Sequence, residues 1–390
     1  MANTIGLISQ YGAENLDEVF VRESCTGILE NQGGLKLRPA AQNAKIVYIP
    51  DMVLSGLGDY SRSGGFPDGD IDITWTPYTC TKDRGRSFTL DSQDDAETAG
   101  VTAANVMQIF MKEKVIPEVD AYRFSILADK AATKATTQVA VDNIISCFGA
   151  AEKQLVDDEV GLENVVYFIS TEVDLLIKTS TQLSRLVGVT NISSGGIDLR
   201  VKTFNGIPLI VVPRTRFKTA FTFGADGFSV ADGSQDIDFM LVHFNSALPY
   251  KKHEKIRVFA PDINQDKDAW KFQYRIYHDI FVTKNKTKGI YINKKAPLKT
   301  LTFDVTKPTA ASAVSVVGSM AAIDISAGYK YILPKFTPTL EGYHFAGWST
   351  AATLTADEDT VVNWIDNDPN FVMPADAETL YAIWLVDAVA

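Results

Sequence analysis

ETAGVTAANVMQIFMKEKVIPEVDAYRFSILADKA, Glu97–Ala131, is the stretch from which the fold is read. Its apolar residues fall at Val101, Ala104, Met107, Met111, Val115, Val119, Tyr122 and Ile126. Successive steps of three or four residues put all of them on one stripe of a single helix. About thirty residues at ~1.5 Å each give a helix of roughly 45 Å, long for a globular domain. Pro117 lies in its middle, and a kink is expected there because proline lacks the backbone donor and crowds the preceding turn.

On the N-terminal side lies DMVLSGLGDYSRSGGFPDGDIDITWTPYTCTKDRGRSFTLDSQDD, Asp51–Asp95. Its DIDITW and RSFTLD segments alternate apolar and polar residues as strands do, and its middle is rich in Gly, Ser and Asp. This reads as a two-stranded β-excursion. Such a ribbon is marginal alone in water, so it calls for a partner surface, most simply a neighbouring subunit. Residues 1–50 read as an arm: a short amphipathic helix around Asn15–Leu29, then Gly33-Gly34, then the strand AKIVYIP.

On the C-terminal side the pattern becomes mixed α/β. A helix is expected near Val139–Leu155, a buried strand at VVYFIS (Val165–Ser170), and a helix over TEVDLLIKTSTQLSRL with Thr171 as its N-cap. IDLRVKTF and IPLIVVP flank Asn205-Gly206, a strong hairpin signal. Further strands are expected at Phe239–Phe244, Lys255–Phe259, Trp270–Thr283 (a long half-exposed strand) and Gly289–Asn293. Asn293–Lys299 reads as a linker, and short β segments with Gly, Pro and Asp turns follow it.

The 390 residues, 46% of them hydrophobic, suffice for two or three domains with real cores. Residues 297–390 hold 4 Lys+Arg and 11 Asp+Glu, a net of −7, against 33 and 37, a net of −4, in the rest. This shift marks a boundary, and neither part reads as a sequence-reading nucleic-acid binder. The first twenty residues lack a secretory leader pattern, and no apolar run is long enough to span a bilayer. Cys25, Cys80 and Cys147 are widely spaced and odd in number, which suits reduced, buried thiols.

Catalytic motifs are missing. There is no phosphate-binding GxxxxGK[ST], no GxGxxG after a strand, no HExxH and no GxSxG. His243, His253, His278 and His344 lie on separate segments without ligand spacing. Asp68, Asp70 and Asp72 have the opening spacing of a calcium loop, but Ile73 stands where Gly is needed and Thr79 where Glu is needed. No cofactor, metal or enzymatic activity is therefore expected.

The order of arm, long hairpin loop, long kinked helix, mixed α/β region and return into long strands resembles the major capsid proteins of tailed phages, the Hong Kong 97-type fold. SFTLDSQDDAETAGVTAANVMQIFMKEKVIPEVDAYRFSILA (Ser87–Ala128) is similar to the end of their extended loop running into the spine helix, and TFNGIPLIVVP (Thr203–Pro213) to their axial hairpin. The resemblance covers roughly residues 1–296. It implies an α+β fold with an N-terminal arm over 1–50, an extended loop over 51–95, a peripheral domain over 96–136 and 245–296, and an axial domain over 137–244. It implies inter-subunit contacts through Tyr60, Arg62, Phe66 and Trp75. It further implies hexamers and pentamers in an icosahedral virion shell, assembled in the host bacterial cytoplasm with a scaffolding protein and a portal. Its inner face would touch packaged DNA without sequence preference, and no membrane is involved. An encapsulin-like shell shares this fold and stays open as an alternative.

A second resemblance covers residues 299–386. EGYHFAGWST (Glu341–Thr350) and the closing LYAIW (Leu380–Trp384) are similar to the internalin-type B-repeat, also called the Listeria–Bacteroides repeat, a small β-grasp-like module. The matching residues are Gly342, Tyr343, Phe345, Gly347, Trp348, Tyr381 and Trp384, with Ile383 where the module usually carries a basic residue. Their aromatic rings are expected to be core. The resemblance implies a fused β domain over 297–390, projecting outward as a built-in decoration with weak host-surface or glycan contact. A bacterial surface adhesin is the reading this module alone would give.

Overall fold

The computed structural model describes residues 24–30, 38–39, 45–93, 101–180, 187–194, 197–305, 316–331, 333, 339–350, 361–362 and 371–387. The expected arm helix therefore lies outside the described residues up to position 23, as do Gly33-Gly34, positions 97–100 of the long helix, and positions 181–186. The fold is α+β. The chain forms two compact units, Met1–Lys134 with Val141–Ile292, and Ala135–Ala140 with Asn293–Ala390.

The long helix is built from α1 (Val101–Phe110) and α2 (Ile116–Lys130), joined through a π-helical turn over Met111–Val115. Pro117 explains the irregularity. It cannot donate to the carbonyl four residues back, and its ring would clash there, so the wider turn just upstream accommodates it. The helix does not keep a single buried stripe: Phe124 and Leu127 are buried as well as Val119 and Tyr122, and so are Asp120 and Arg123. Ile126, expected on the stripe, is only half-buried.

Among the described residues of the first unit there are three larger sheets and one small hairpin. β1 (Arg38–Pro39), β2 (Ile46–Leu54) and β3 (Ile71–Thr79) form an antiparallel ribbon. β4 (Lys82–Asp91) does not pair with β3, as the sequence pattern suggested. It joins β13 (Leu248–Phe259) and β14 (Ala269–Phe281) in the order β13-β14-β4. So the loop's outgoing strand is the IVYIP segment assigned to the arm, and RSFTLD pairs with β14 nearly two hundred residues away. β14 is central and mostly buried, not half-exposed, because Phe272, Tyr274 and Ile276 pack on Met107, Met111, Val115, Ile116 and Val119 of the long helix.

The seven-stranded sheet runs in the order β5-β15-β12-β6-β9-β8-β7. Its strands are β5 (Thr133–Ala135), β6 (Val165–Ser170), β7 (Val187–Ser194), β8 (Ile197–Phe204), β9 (Ile207–Val212), β12 (Ile237–His243) and β15 (Ile290–Lys294). β6 is buried at every position because it lies mid-sheet with α3 (Ile144–Asp157) and α4 (Thr171–Thr179) nearby in the chain. The α4 cap is Ser170, one residue before the expected Thr171. Ser170 keeps extended backbone, and its hydroxyl accepts from Val173 N at 3.2 Å. Asn205 and Gly206 both have positive φ, 50° and 82°, as a tight hairpin turn between β8 and β9 requires. A small hairpin, β10 (Phe221–Gly224) with β11 (Gly227–Val230), completes the unit.

Among its described residues the second unit holds a five-stranded sheet in the order β17-β16-β20-β18-β19. Its strands are β16 (Leu298–Asp304), β17 (Ile323–Ser326), β18 (Tyr343–Ser349), β19 (Val361–Val362) and β20 (Glu378–Val386). The first and last strands, β16 and β20, lie side by side in parallel, and the other pairs are antiparallel. Leu301, Leu340, Trp348, Met373, Leu380 and Trp384 form its core. Its two segments are joined where Asn293 exchanges two hydrogen bonds with the Thr137 backbone at 3.0 and 2.9 Å.

Candidate assembly surface

The β2–β3 ribbon is anchored at one end and bare at the other. Val47 and Ile49 are buried at its base with Cys80, Leu248, Tyr277 and Phe281. Just beyond β3, Asp279 accepts from Thr81 N (2.8 Å), Thr81 Oγ1 (3.0 Å) and Tyr122 OH (2.7 Å), which pins the ribbon's exit to β14 and α2. Burial pushes the Tyr122 hydroxyl well above the usual tyrosine range, so it stays a donor. From Met52 outward nothing in the described chain covers the ribbon.

Register shows what it exposes. Leu54 faces Ile71, Met52 faces Ile73 and Pro50 faces Trp75, so these six residues share one face. Met52, Leu54, Ile71, Ile73 and Trp75 are all exposed. The opposite face carries Val53 with Asp72, and Asp51 with Thr74. The ribbon is therefore amphipathic with its apolar side in water. At the tip Leu57 is fully exposed, Phe66 is 86% exposed, and the Tyr60 and Phe66 rings contact each other at 5.0 Å. Contiguous apolar surface of this kind marks an interaction site.

Of the residues singled out in sequence, Tyr60, Arg62 and Phe66 sit together at the exposed tip, and Trp75 lies farther down the apolar face. Met52, Leu54, Ile71 and Ile73 were missed. Their signal was the pairing of MVL against IDI, which is invisible while β4 stands in for β2 as the partner of β3. In the second unit Trp348 and Trp384 are buried, with Tyr343 and Phe345 packed against them. The Phe345 ring lies 5.2 Å from Trp348 and 5.9 Å from Trp384. Gly342 has φ +77° and makes the turn into β18, where Tyr343 N donates to Leu340 O. Gly347 sits at the β18 bulge, and Tyr381 is half-buried opposite Ser349.

A second contact was not legible: residues 24–30 are clasped to the long helix. The Asp120 carboxylate accepts from Ser24 Oγ (2.7 Å), Cys25 N (2.9 Å), Thr26 N (3.1 Å), Thr26 Oγ1 (2.6 Å) and Arg216 (3.0 Å). Arg123 donates to Thr26 Oγ1 at 3.0 Å and pairs with Glu30 at 2.6 Å. A buried charge is tolerated only with such multiple partners.

No group of three or more metal-ligating side chains converges among the described residues. His278 is buried, and burial together with the nearby Arg123, Lys251, Lys82 and Arg84 lowers it to about 3. Burial pushes the Cys25 and Cys80 thiols up to about 12, so neither is a thiolate at neutral pH. Among the described residues no helix is long and apolar enough to cross a membrane.

No family model and no curated protein sequence matches the chain. The solved structures it resembles include the capsid of cyanophage P-SCSP1u, at 12% identity and TM-score 0.48, covering 69% of this chain and 87% of that one. The head of Helicobacter pylori bacteriophage KHP40 matches at 10% identity and TM-score 0.47, covering 70% and 90%. A holo-encapsulin complex from Synechococcus elongatus PCC 7942 matches at 12% identity and TM-score 0.40, covering 67% and 85%.

Proposed function

We propose that this chain is the major capsid protein of a tailed bacteriophage, a structural, non-catalytic subunit that self-assembles as hexamers and pentamers into an icosahedral shell around DNA. The observation that carries this reading is the bare apolar face of the β2–β3 ribbon. A two-stranded ribbon anchored only at its base gains nothing from holding Leu54, Ile71, Met52 and Ile73 in water. Each would contribute about 1.5–3 kcal/mol if covered, and a neighbouring copy is the cover that every shell position supplies.

The second unit is read as a B-repeat-like decoration. Its parallel first and last strands between flanking antiparallel ones, and its Trp348–Phe345–Trp384 core, support that reading. A net of −7 over residues 297–390 is costly beside a packaged genome, which favours outward projection and leaves weak host-surface contact open to it. A scaffolding protein and a portal complete the assembly, in the host cytoplasm.

Electron microscopy of the purified chain tests the reading. Closed shells that lose residues 297–390 to protease while staying intact are expected. Particles that never close, alone or with a co-expressed scaffold, overturn it. Closed shells that hold a protein cargo and no nucleic acid favour the encapsulin-like alternative.

A further inference from the structure

The sheet β13-β14-β4 turns one face to the long helix and the other to solvent. Register sets which residues lie on the solvent face. Lys255 is opposite Arg275, Arg257 is opposite Gln273, and Gln273 and Lys271 are in turn opposite Ser87 and Thr89. Along β13, His253, Lys255 and Arg257 are all exposed and recur every second residue, about 6.8 Å apart. They border a shallow depression of about 410 Å³.

Its charges are unequal. Arg275 is held by Asp83 through two contacts of 2.8 and 2.5 Å, and Lys271 by Asp266 at 2.6 Å. Among the described residues neither Lys255 nor Arg257 makes an ion pair. Gly85 lines the depression, and a Cβ there would meet Tyr274 O at 2.8 Å.

We infer that this face is a track for the phosphate backbone of double-stranded DNA. Two unneutralised cations and neutral donors from Gln273, Ser87 and Thr89 are the donor types that hold phosphate without reading bases. Their spread over three strands, instead of one pocket, fits a repeating anion better than a single carboxylate. The inference goes beyond the shell reading by naming the surface that meets nucleic acid.

The test is fluorescence anisotropy of a labelled 20-base-pair duplex with the full chain, across a salt series. Binding is expected to be sequence-independent. In the double variant Lys255→Gln with Arg257→Gln, affinity should fall about tenfold or more at low salt, and the slope of log K against log salt should flatten by about 1.8. Lys153→Gln, exposed on α3, should change neither beyond the general charge effect. Duplex binding that the double variant leaves unchanged, or no binding at all, overturns the inference. So does binding of poly-glutamate, dependent on Lys255 and Arg257, where the duplex fails; that result would assign the face to an acidic protein. A chain that binds the duplex this way but never forms particles sinks the shell reading and keeps this one.

Discussion

The Asp120 clasp and the β2–β3 ribbon break the inside–outside rule in opposite directions. Asp120 and Arg123 are charged and fully buried, whereas Leu57 and Phe66 are apolar and bare. In the clasp the chain supplies partners to both buried charges, from Ser24, Thr26, Glu30 and Arg216. In the ribbon the described residues supply none for the apolar face. One region is finished within the subunit, and on the proposed reading the other is finished by a neighbouring copy.

Stability measurements test that contrast. The largest effect is expected at the clasp. Asp120→Ala strands Arg216 and four other donors, and should cost about 3–5 kcal/mol in urea denaturation. A loss under 1 kcal/mol would mean residues 24–30 are not held as described.

Acid should have the next largest effect, through His278. Its folded pKa of about 3 lies below the unfolded value, so the unfolded chain takes up a proton first. The stabilisation is present above about pH 6.5 and is lost as pH falls towards 3, at up to ~1.4 kcal/mol per pH unit. Between pH 7 and 5 about 2 kcal/mol should disappear, and His278→Gln should flatten that part of the profile.

Arg84 stands between the two extremes. It is half-buried, pairs with Glu118 at 2.6 Å and donates to Gly224 O at 2.8 Å, so Arg84→Ala should cost about 1 kcal/mol. At the ribbon tip Phe66→Ser should change monomer stability by less than about 0.5 kcal/mol, yet reduce particle yield in sedimentation.

What was legible in the sequence was local. The long helix followed from apolar spacing within one segment, and the β8–β9 hairpin from Asn205-Gly206. The ribbon's existence followed from the alternation in DIDITW, but its partner strand did not. β3 could be matched to either neighbouring alternating segment, and the competing pairing of β4 with β14 joins residues as far apart as Lys82 and His278. The clasp was hidden for the same reason. Asp120 and Arg123 look like the polar side of an amphipathic helix until a segment more than ninety residues upstream covers them. The second unit's aromatic residues are grouped by spacing within two segments, Tyr343–Ser349 and Glu378–Val386, each of which is one strand.

The central claim is that the bare face of the ribbon is an inter-subunit surface. It is tested most directly by comparing, in sedimentation and electron microscopy, the natural chain with a variant carrying Met52→Thr, Leu54→Thr, Ile71→Thr and Ile73→Thr. Threonine keeps the strand propensity and removes the apolar face. Closed shells from the natural chain and folded, unassembled subunits with an unchanged melting temperature from the variant are the predicted result. Closed shells from both would contradict it.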